Sequence, residues 1–337
     1  MNLYRKAIDS LGWGDAPAVV IGHKTPDGDS VMSALAYAYL MDALGHKTLA
    51  RMAGKANNET VFAAKAFGID LPETLLSIET AADPVRLILM DHSDYAQAVD
   101  GARNARILQV IDHHGIGDIA ESKLLFAKYM PVGSTCSIVY TSYKELGVEI
   151  TADVAKILFA GILSDTLNLI KVTTTDVDRQ IYEELLQILA NAWNMDISAA
   201  RSKVNEIYKG MVVAAHDFSS MSDEEIFNSD AKDYVMGGAK FRLGSLDWKD
   251  SATINQFAER MLRVMPSIMR ETGNQMIFCR VGYEEKTCMV YYGTDSAQTL
   301  SIAEKAFGKS KCPGMIFVNR RLSRKLDVIP MLTKALN

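Results

Sequence analysis

Over the first half of the chain, short apolar runs rich in β-branched residues alternate with longer stretches of helical spacing. Residues 18–21 form the first run, and 47–51, 85–90 and 106–111 form three more. Each is too short for a buried helix and is bounded by polar or glycine-containing segments, so each reads as a strand. Between and after them, 30–44, 58–67 and 137–146 carry apolar residues at helical intervals. Apolar strands alternating with helices predict an α/β domain with a mainly parallel sheet flanked by helices. After Thr151 the pattern turns helical, over 152–163, 176–191 and 197–209. A polar, acidic run at 216–230 then reads as a linker. Beyond it, 231–243 and 276–292 read as strands around a helix over 253–271, a smaller α+β domain. The expected organisation is a first domain over 1–212, a linker over 213–225 and a second domain over 226–337.

Composition narrows the function classes. A chain of 337 residues accommodates two domains, and 48% hydrophobic with 23% charged residues is the mix of a water-soluble globular protein. The longest apolar candidate for a membrane span, 31–44, is interrupted by Ser33 and Asp42 and is too short. Residues 1–15 read as an amphipathic helix without a signal core, so secretion is not expected. Cys136, Cys279, Cys288 and Cys312 form no C-x-x-C pair, which fits a reducing cytoplasm and no zinc knuckle. A net charge of −5 lacks the basic surplus that binding to long nucleic acids requires.

The polar residues that follow the predicted strands carry the chemistry. The first strand runs into His23-Lys24-Thr25-Pro26-Asp27-Gly28-Asp29, the 85–90 strand into Asp91-His92, and the 106–111 strand into Asp112-His113-His114. Carboxyl ends of parallel strands face one edge, where ligands bind, so three loops deliver acids and imidazoles to one place. Asp165 follows another apolar segment. Each motif alone has an ordinary structural reading: Pro-Asp-Gly is a common turn, Asp29-Ser30 a helix cap, His92 a packed core histidine, Asp165 a helix-end turn. Their co-occurrence points instead to a metal site. Carboxylate with imidazole suits manganese, iron or cobalt, and the number of ligands suffices for two ions and a bridging carboxylate. Such a pair clamps the oxygens of an in-line phosphoryl displacement.

In their order, His23-x-x-Pro26-Asp27-x-Asp29, Asp91-His92, Asp112-His113-His114 and Ser164-Asp165-Thr166 resemble the four motifs of the DHH phosphoesterase superfamily. Gly133-Ser134-Thr135-Cys136-Ser137 resembles its small-residue segment. Toward the end, Ser323-Arg324-Lys325-Leu326-Asp327-Val328-Ile329-Pro330, with Asp230-Ala231-Lys232-Asp233-Tyr234 and Gly237-Gly238-Ala239-Lys240, resembles the manganese-dependent (family II) inorganic pyrophosphatases and their DHHA2-type C-terminal domain. The Gly-Gly-Gly-His motif of the oligoribonuclease branch is absent from the sequence.

The resemblance implies that His23, Asp27 and Asp165 hold one metal, Asp29 and His113 the other, and Asp91 bridges them. A water between the ions would be the nucleophile. His114 would contact substrate, and Lys232, Arg324 and Lys325 would hold phosphate oxygens from the second domain, with closure about the 216–230 segment. It implies two Mn²⁺ per subunit, with Co²⁺ or Fe²⁺ compatible and Mg²⁺ accompanying the substrate, and a homodimer. Several positions depart from the family pattern: Thr25 for Asn, Ser93-Asp94 for Asn-Glu, Gly115 for a basic residue, Asn168 to Val172 for Leu-Phe-Lys-Ser-Pro, and Leu326-Asp327 for Lys-Gln. No metal ligand is lost. The site becomes less positive, which makes short polyphosphate, a nucleotide or a short oligonucleotide the alternative substrates.

Overall fold

In the computed structural model, which describes residues 2–121, 126–219 and 221–336, the chain divides after Ala215 into two compact units. The first unit runs α1 (Leu3–Asp9), β1 (Ala18–Ile21), α2 (Gly28–Ala43), β2 (Thr48–Arg51), α3 (Asn58–Phe67), β3 (Arg86–Met90), β4 (Arg106–Asp112), β5 (Phe126–Tyr129), α4 (Thr135–Leu146), α5 (Ala152–Thr166), α6 (Asp176–Ala192) and α7 (Ile197–Ala215). Its five strands are all parallel in the order β2-β1-β3-β4-β5. The chain leaves β1 for β2 on one side, and β3 lies on the other. That reversal opens a crevice at the carboxyl ends of β1 and β3.

Apolar burial explains why this sheet holds. Ile88 and Met90 face one layer with Met32, Tyr37, Leu158 and Leu163; Leu87 and Leu89 face the other with Ile78, Ala98 and Val99. Helix α2 is buried along nearly its whole length, which its small residues permit: Ala34, Ala36 and Ala38 allow close approach, and it packs against α4 and α5. Its apolar run is therefore a core helix, and among the described residues no helix is long and apolar enough to cross a membrane.

The second unit runs α8 (Asp223–Asn228), β6 (Ala231–Met236), β7 (Ala239–Asp247), α9 (Ile254–Thr272), β8 (Met276–Tyr283), β9 (Lys286–Gly293), α10 (Ser296–Phe307), β10 (Met315–Val318) and α11 (Ile329–Leu336). The sheet order is β10-β9-β8-β7-β6, with only β7 and β8 parallel. Helix α9 makes the crossover that a parallel pair requires.

Each of the two expected strands here is a hairpin. The first turns at Gly237-Gly238, both at positive φ (56° and 75°), as a two-residue turn demands. The second turns at Glu284-Glu285, where Glu284 takes φ 46° without any glycine or asparagine to signal it. The acidic run expected to be linker contains α8. Ser222 and Glu225 form a capping box there, so these acids serve a helix start. Strands β5 and β10 and helices α10 and α11 lie where the sequence pattern assigned nothing.

Candidate metal centre

Three strand ends and one helix end converge on the crevice. His23 lies in the loop after β1, and Asp27 and Asp29 lie at the start of α2. Asp91 follows β3, Asp112 ends β4, and His113 and His114 follow it. Asp165 sits in the last turn of α5. His23, Asp29, Asp91 and Asp112 are all buried. Buried carboxylates must be compensated, and each has its own arrangement.

Asp27 caps α2 by accepting from Ser30 N at 3.0 Å. Its other oxygen, Oδ2, lies 3.4 Å from His23 Nε2. Asp29 accepts three hydrogen bonds from the start of α4: Oδ1 from Ser134 Oγ at 2.6 Å and Cys136 N at 3.0 Å, and Oδ2 from Thr135 N at 2.6 Å. Both usable lone pairs of Oδ1 are thereby engaged, which leaves Oδ2 the oxygen with capacity for a cation. The α4 start is itself fastened by Asp178 of α6, which accepts from Gly133 N at 2.8 Å and Ser137 Oγ at 2.6 Å while capping α6.

Asp91 occupies the centre. It adopts φ 62°, a left-handed conformation that costs a non-glycine residue about 1 kcal/mol or more. Oδ2 lies 3.5 Å from His23 Nε2, and Oδ1 lies 3.4 Å from His113 Nε2 and 3.5 Å from His114 Nδ1. His113 directs Nδ1 to Val132 O at 2.8 Å, so Nε2 faces Asp91 and, at 3.2 Å, Asp165. Asp112 orients His114, accepting from His114 N at 3.0 Å and meeting its Nδ1 at 2.9 Å. The Nε2 of His114 is thereby left for a ligand.

Fields in the cluster are strong. Burial alone would lower the His23 pKa, but the charges and hydrogen bonds of Asp27 and Asp91 overcome it and raise it to about 10. Burial is likewise outweighed at His113, where Asp91, Asp165 and Asp29 raise the pKa to about 9. Burial, reinforced by Asp91 and Asp165, pushes Asp29 well above the ordinary carboxylate range. Burial holds His92 down at about 4, and its Nδ1 meets Met90 O at 2.8 Å, so it is a neutral packed histidine.

These residues fit divalent ions. Two ligand atoms about 2.1 Å from one ion at right angles sit about 3 Å apart, close to the 3.2–3.5 Å separations among His23, Asp27, Asp91, His113 and Asp165. His113 Nε2 is buried with no hydrogen-bond partner, while its Nδ1 is held by a carbonyl, the usual disposition of a metal-binding histidine. Among the described residues, three groups have ligand-type atoms within 4.8 Å of one another: His23, Asp27 and Asp91; Asp29, His113 and Asp165; and Asp91, His113 and His114. Asp165 thus groups with Asp29 and His113 rather than with His23 and Asp27 as expected. The reason is the helix: α5 packs against α2 and delivers its last turn to the Asp29 side.

Sequence reasoning missed several contributors. Lys171 pairs with Asp165. It reaches back because Leu167, Asn168 and Leu169 are all left-handed (φ 52°, 53° and 69°), a turn with no glycine to announce it. Glu59, in the first turn of α3, is raised to about 7 by burial, with the charges of Asp27 and Asp165 adding and a hydrogen bond with Ser164 opposing. Asp178 also carries the site, while Asp112 and Thr135, already quoted with their motifs, take positions there that the motifs did not assign. A side chain accepting backbone N–H groups, as Asp178 does, leaves no spacing signature.

In the second unit, Lys232 lies on β6, and Arg324 and Lys325 begin a wide helical turn capped by Ser323. Arg324 pairs with Asp230. Asp327, one of the departures, accepts from Arg320 Nη1 and from Ser323 N, both at 2.8 Å, so its charge is spent on Arg320 and the turn. Ser93 and Gly115, two further departures, touch: Ser93 Oγ donates to Gly115 O at 3.2 Å and accepts from Gly117 N at 2.9 Å.

Residues 17–162 match the model of the DHH family, N-terminal domain, and residues 209–335 match that of the DHHA2 domain. The manganese-dependent inorganic pyrophosphatase of Methanothrix thermoacetophila is 34% identical over 322 residues, 94% of this chain and 97% of that protein. Among solved structures, the putative family II inorganic pyrophosphatase of Methanococcus jannaschii superposes with a TM-score of 0.77 at 26% identity. The match covers 96% of this chain and all of that one (100%).

Proposed function

The chain belongs to the family of manganese-dependent inorganic pyrophosphatases, and from that membership we propose that it hydrolyses inorganic pyrophosphate to phosphate at the acid and imidazole cluster of the first unit. One observation carries the reading. Asp91 turns Oδ2 toward His23 and Oδ1 toward His113, so one carboxylate serves two neighbouring groups of ligand-type residues.

The proposal assigns two Mn²⁺ per subunit: His23 and Asp27 hold one, Asp29, His113 and Asp165 the other, and Asp91 both. Co²⁺ or Fe²⁺ suits the same donors, and Mg²⁺ accompanies the substrate. Ions so held supply Lewis acidity to phosphoryl oxygens and acidify water. The protein's own groups do the rest. His114, fixed by Asp112, presents Nε2 to the substrate beside the cluster and serves in proton transfer. Lys232, Arg324 and Lys325 bind phosphate oxygens, Arg324 through a planar fork that matches them. Because Asp327 is engaged by Arg320, it subtracts little from that cationic set. A homodimer and a cytoplasmic location belong to the same reading; the four free cysteines accord with the latter.

One observation favours a longer substrate. Gly115, beside His114, has, its own chain neighbours aside, no atom of the described residues within 4 Å of where a side chain would begin, so the position is both open and uncharged. Phosphate release from pyrophosphate, tripolyphosphate, a 3′,5′-bisphosphate nucleotide and a dinucleotide, each with Mn²⁺ and Mg²⁺, separates the cases. Dominant turnover of pyrophosphate is expected. Preference for tripolyphosphate or a nucleotide would transfer the assignment to the alternative substrates.

A further inference from the structure

Thr135 is fully buried at the start of α4 and touches two of the proposed ligands at once. Its backbone N–H donates to Asp29 Oδ2 at 2.6 Å, and its hydroxyl donates to Asp91 Oδ1 at 2.9 Å. Asp29 belongs to one group of ligand-type residues, whereas Asp91 is the carboxylate common to the others. We propose that Thr135 is a positioning residue that fixes the rotation of the Asp91 carboxylate, so that its two oxygens are divided between the two ion positions. The inference rests on the dinuclear reading given above.

Few other contacts could fix that rotation. The backbone places Asp91 by the ladder bond from its N–H to Ile111 O at 2.9 Å, but a ladder bond does not set the side-chain torsions. The imidazoles of His23, His113 and His114 approach the carboxylate at 3.4–3.5 Å, contacts that orient it weakly. The Thr135 hydroxyl is closer, is a donor, and is itself held. The adjacent Gly133 N–H and Ser137 hydroxyl are fastened to Asp178, and the Thr135 N–H is fastened to Asp29. A hydroxyl on a fixed backbone can hold a carboxylate rotamer; a methyl group of the same shape cannot. With that bond removed, the carboxylate of Asp91 is free to turn both oxygens toward one side, and the shared position is lost while the individual histidines remain.

The test compares wild type, Thr135→Val and Thr135→Ser. Mn²⁺ binding is followed by titration calorimetry, and coupling between ions by the electron paramagnetic resonance spectrum of the manganese pair. Serine keeps the hydroxyl and is expected to keep two tight sites and the exchange-coupled spectrum. Valine keeps the shape, and is expected to weaken the second Mn²⁺ by about 10- to 100-fold, the range for lost outer hydrogen bonds, and to replace the coupled spectrum with that of isolated ions. In pyrophosphate turnover, kcat should fall in Thr135→Val with KM changed far less. Thr135→Ala, which also lacks the hydroxyl, takes its place if the valine protein does not fold. Two tight sites with an unchanged coupled spectrum in Thr135→Val, or in Thr135→Ala where that replaces it, would overturn the proposal. Its failure is distinct from failure of the dinuclear reading, in which the wild type itself would bind one ion or give no coupled spectrum.

Discussion

In the first unit, Asp29, Asp91 and Asp112 are buried among histidines and backbone N–H groups. In the second, Asp230, Asp247 and Asp327 sit at the surface against Arg324, Arg280 and Arg320. The first arrangement concentrates negative charge where water is excluded and, among the described residues, leaves His113 Nε2 and Asp112 Oδ2 without a hydrogen-bond partner. The second matches each of these acids with a base and leaves the acids themselves partly exposed, even where the base, Arg280, is buried. Concentrated buried carboxylates are stable only with a cation or protons, so the first unit is built to bind. Paired surface charges are nearly neutral in energy, so those of the second unit shape a turn and hold guanidinium groups in place. Removing a side chain should therefore abolish chemistry in the first unit and only weaken binding in the second.

The comparison breaks first at Asp91. Asp91→Ala is expected to lower kcat for pyrophosphate by about 10³-fold or more, roughly 4 kcal/mol of barrier. Activity within about tenfold of wild type would mean that the buried cluster is not the reacting centre. Asp178→Ala leaves the Gly133 and Thr175 N–H groups and the Ser137 hydroxyl without their acceptor. A loss of about 3 kcal/mol in denaturant unfolding is expected. A loss below about 1 kcal/mol would show that the α4 start is held by packing alone.

Arg324→Ala should raise KM or lower kcat/KM by about 10- to 100-fold, the value of a charge-assisted hydrogen bond. The Mn²⁺ stoichiometry should stay unchanged. Loss of bound Mn²⁺ in that variant would erase the division of labour between the units.

Proton linkage sharpens the contrast further. His23 and His113 rise in the metal-free fold from 6.5 to about 10 and about 9. Their contribution to stability is complete below 6.5 and disappears as pH rises through those values. Metal-free protein should therefore melt at falling temperature between about pH 7 and 10, while Mn²⁺ affinity rises over the same interval because the ions displace those protons. Scanning calorimetry with chelator and with Mn²⁺ checks both slopes; a flat metal-free profile would contradict the concentrated-charge account. The smallest effect is expected at Asp327→Asn: about 1 kcal/mol or less in stability and little change in KM, since Arg320 already engages that acid.

The parallel sheet and its binding edge are legible in the apolar pattern of the chain alone. Runs such as 106–111 are strands because β-branched residues fit a pleated interior, and the acids and imidazoles that follow them fall on one edge by the geometry of parallel strands. Helices with clear periodicity, such as α3 and α6, were equally legible, because burying one face of a helix imposes a repeat on the sequence. The residue types of the cluster were legible too, because carboxylates and imidazoles at strand ends have few structural uses in combination.

Tertiary structure alone decided the rest. Asp165 joins Asp29 and His113 because α5 packs on α2, a helix pairing that no spacing encodes. The left-handed turn at Leu167 to Leu169 brings Lys171 back to Asp165 through two leucines whose own preferences oppose it. Thr135 meets both Asp29 and Asp91 because the α4 start passes between strand ends far away in the chain. The Asp165–His113 and Thr135–Asp91 contacts join residues far apart in sequence, and the bond from Thr135 N–H to Asp29 runs through a backbone group common to every residue type. Local pattern carries the repeat that burial imposes; it carries no record of which backbone N–H a distant carboxylate will find.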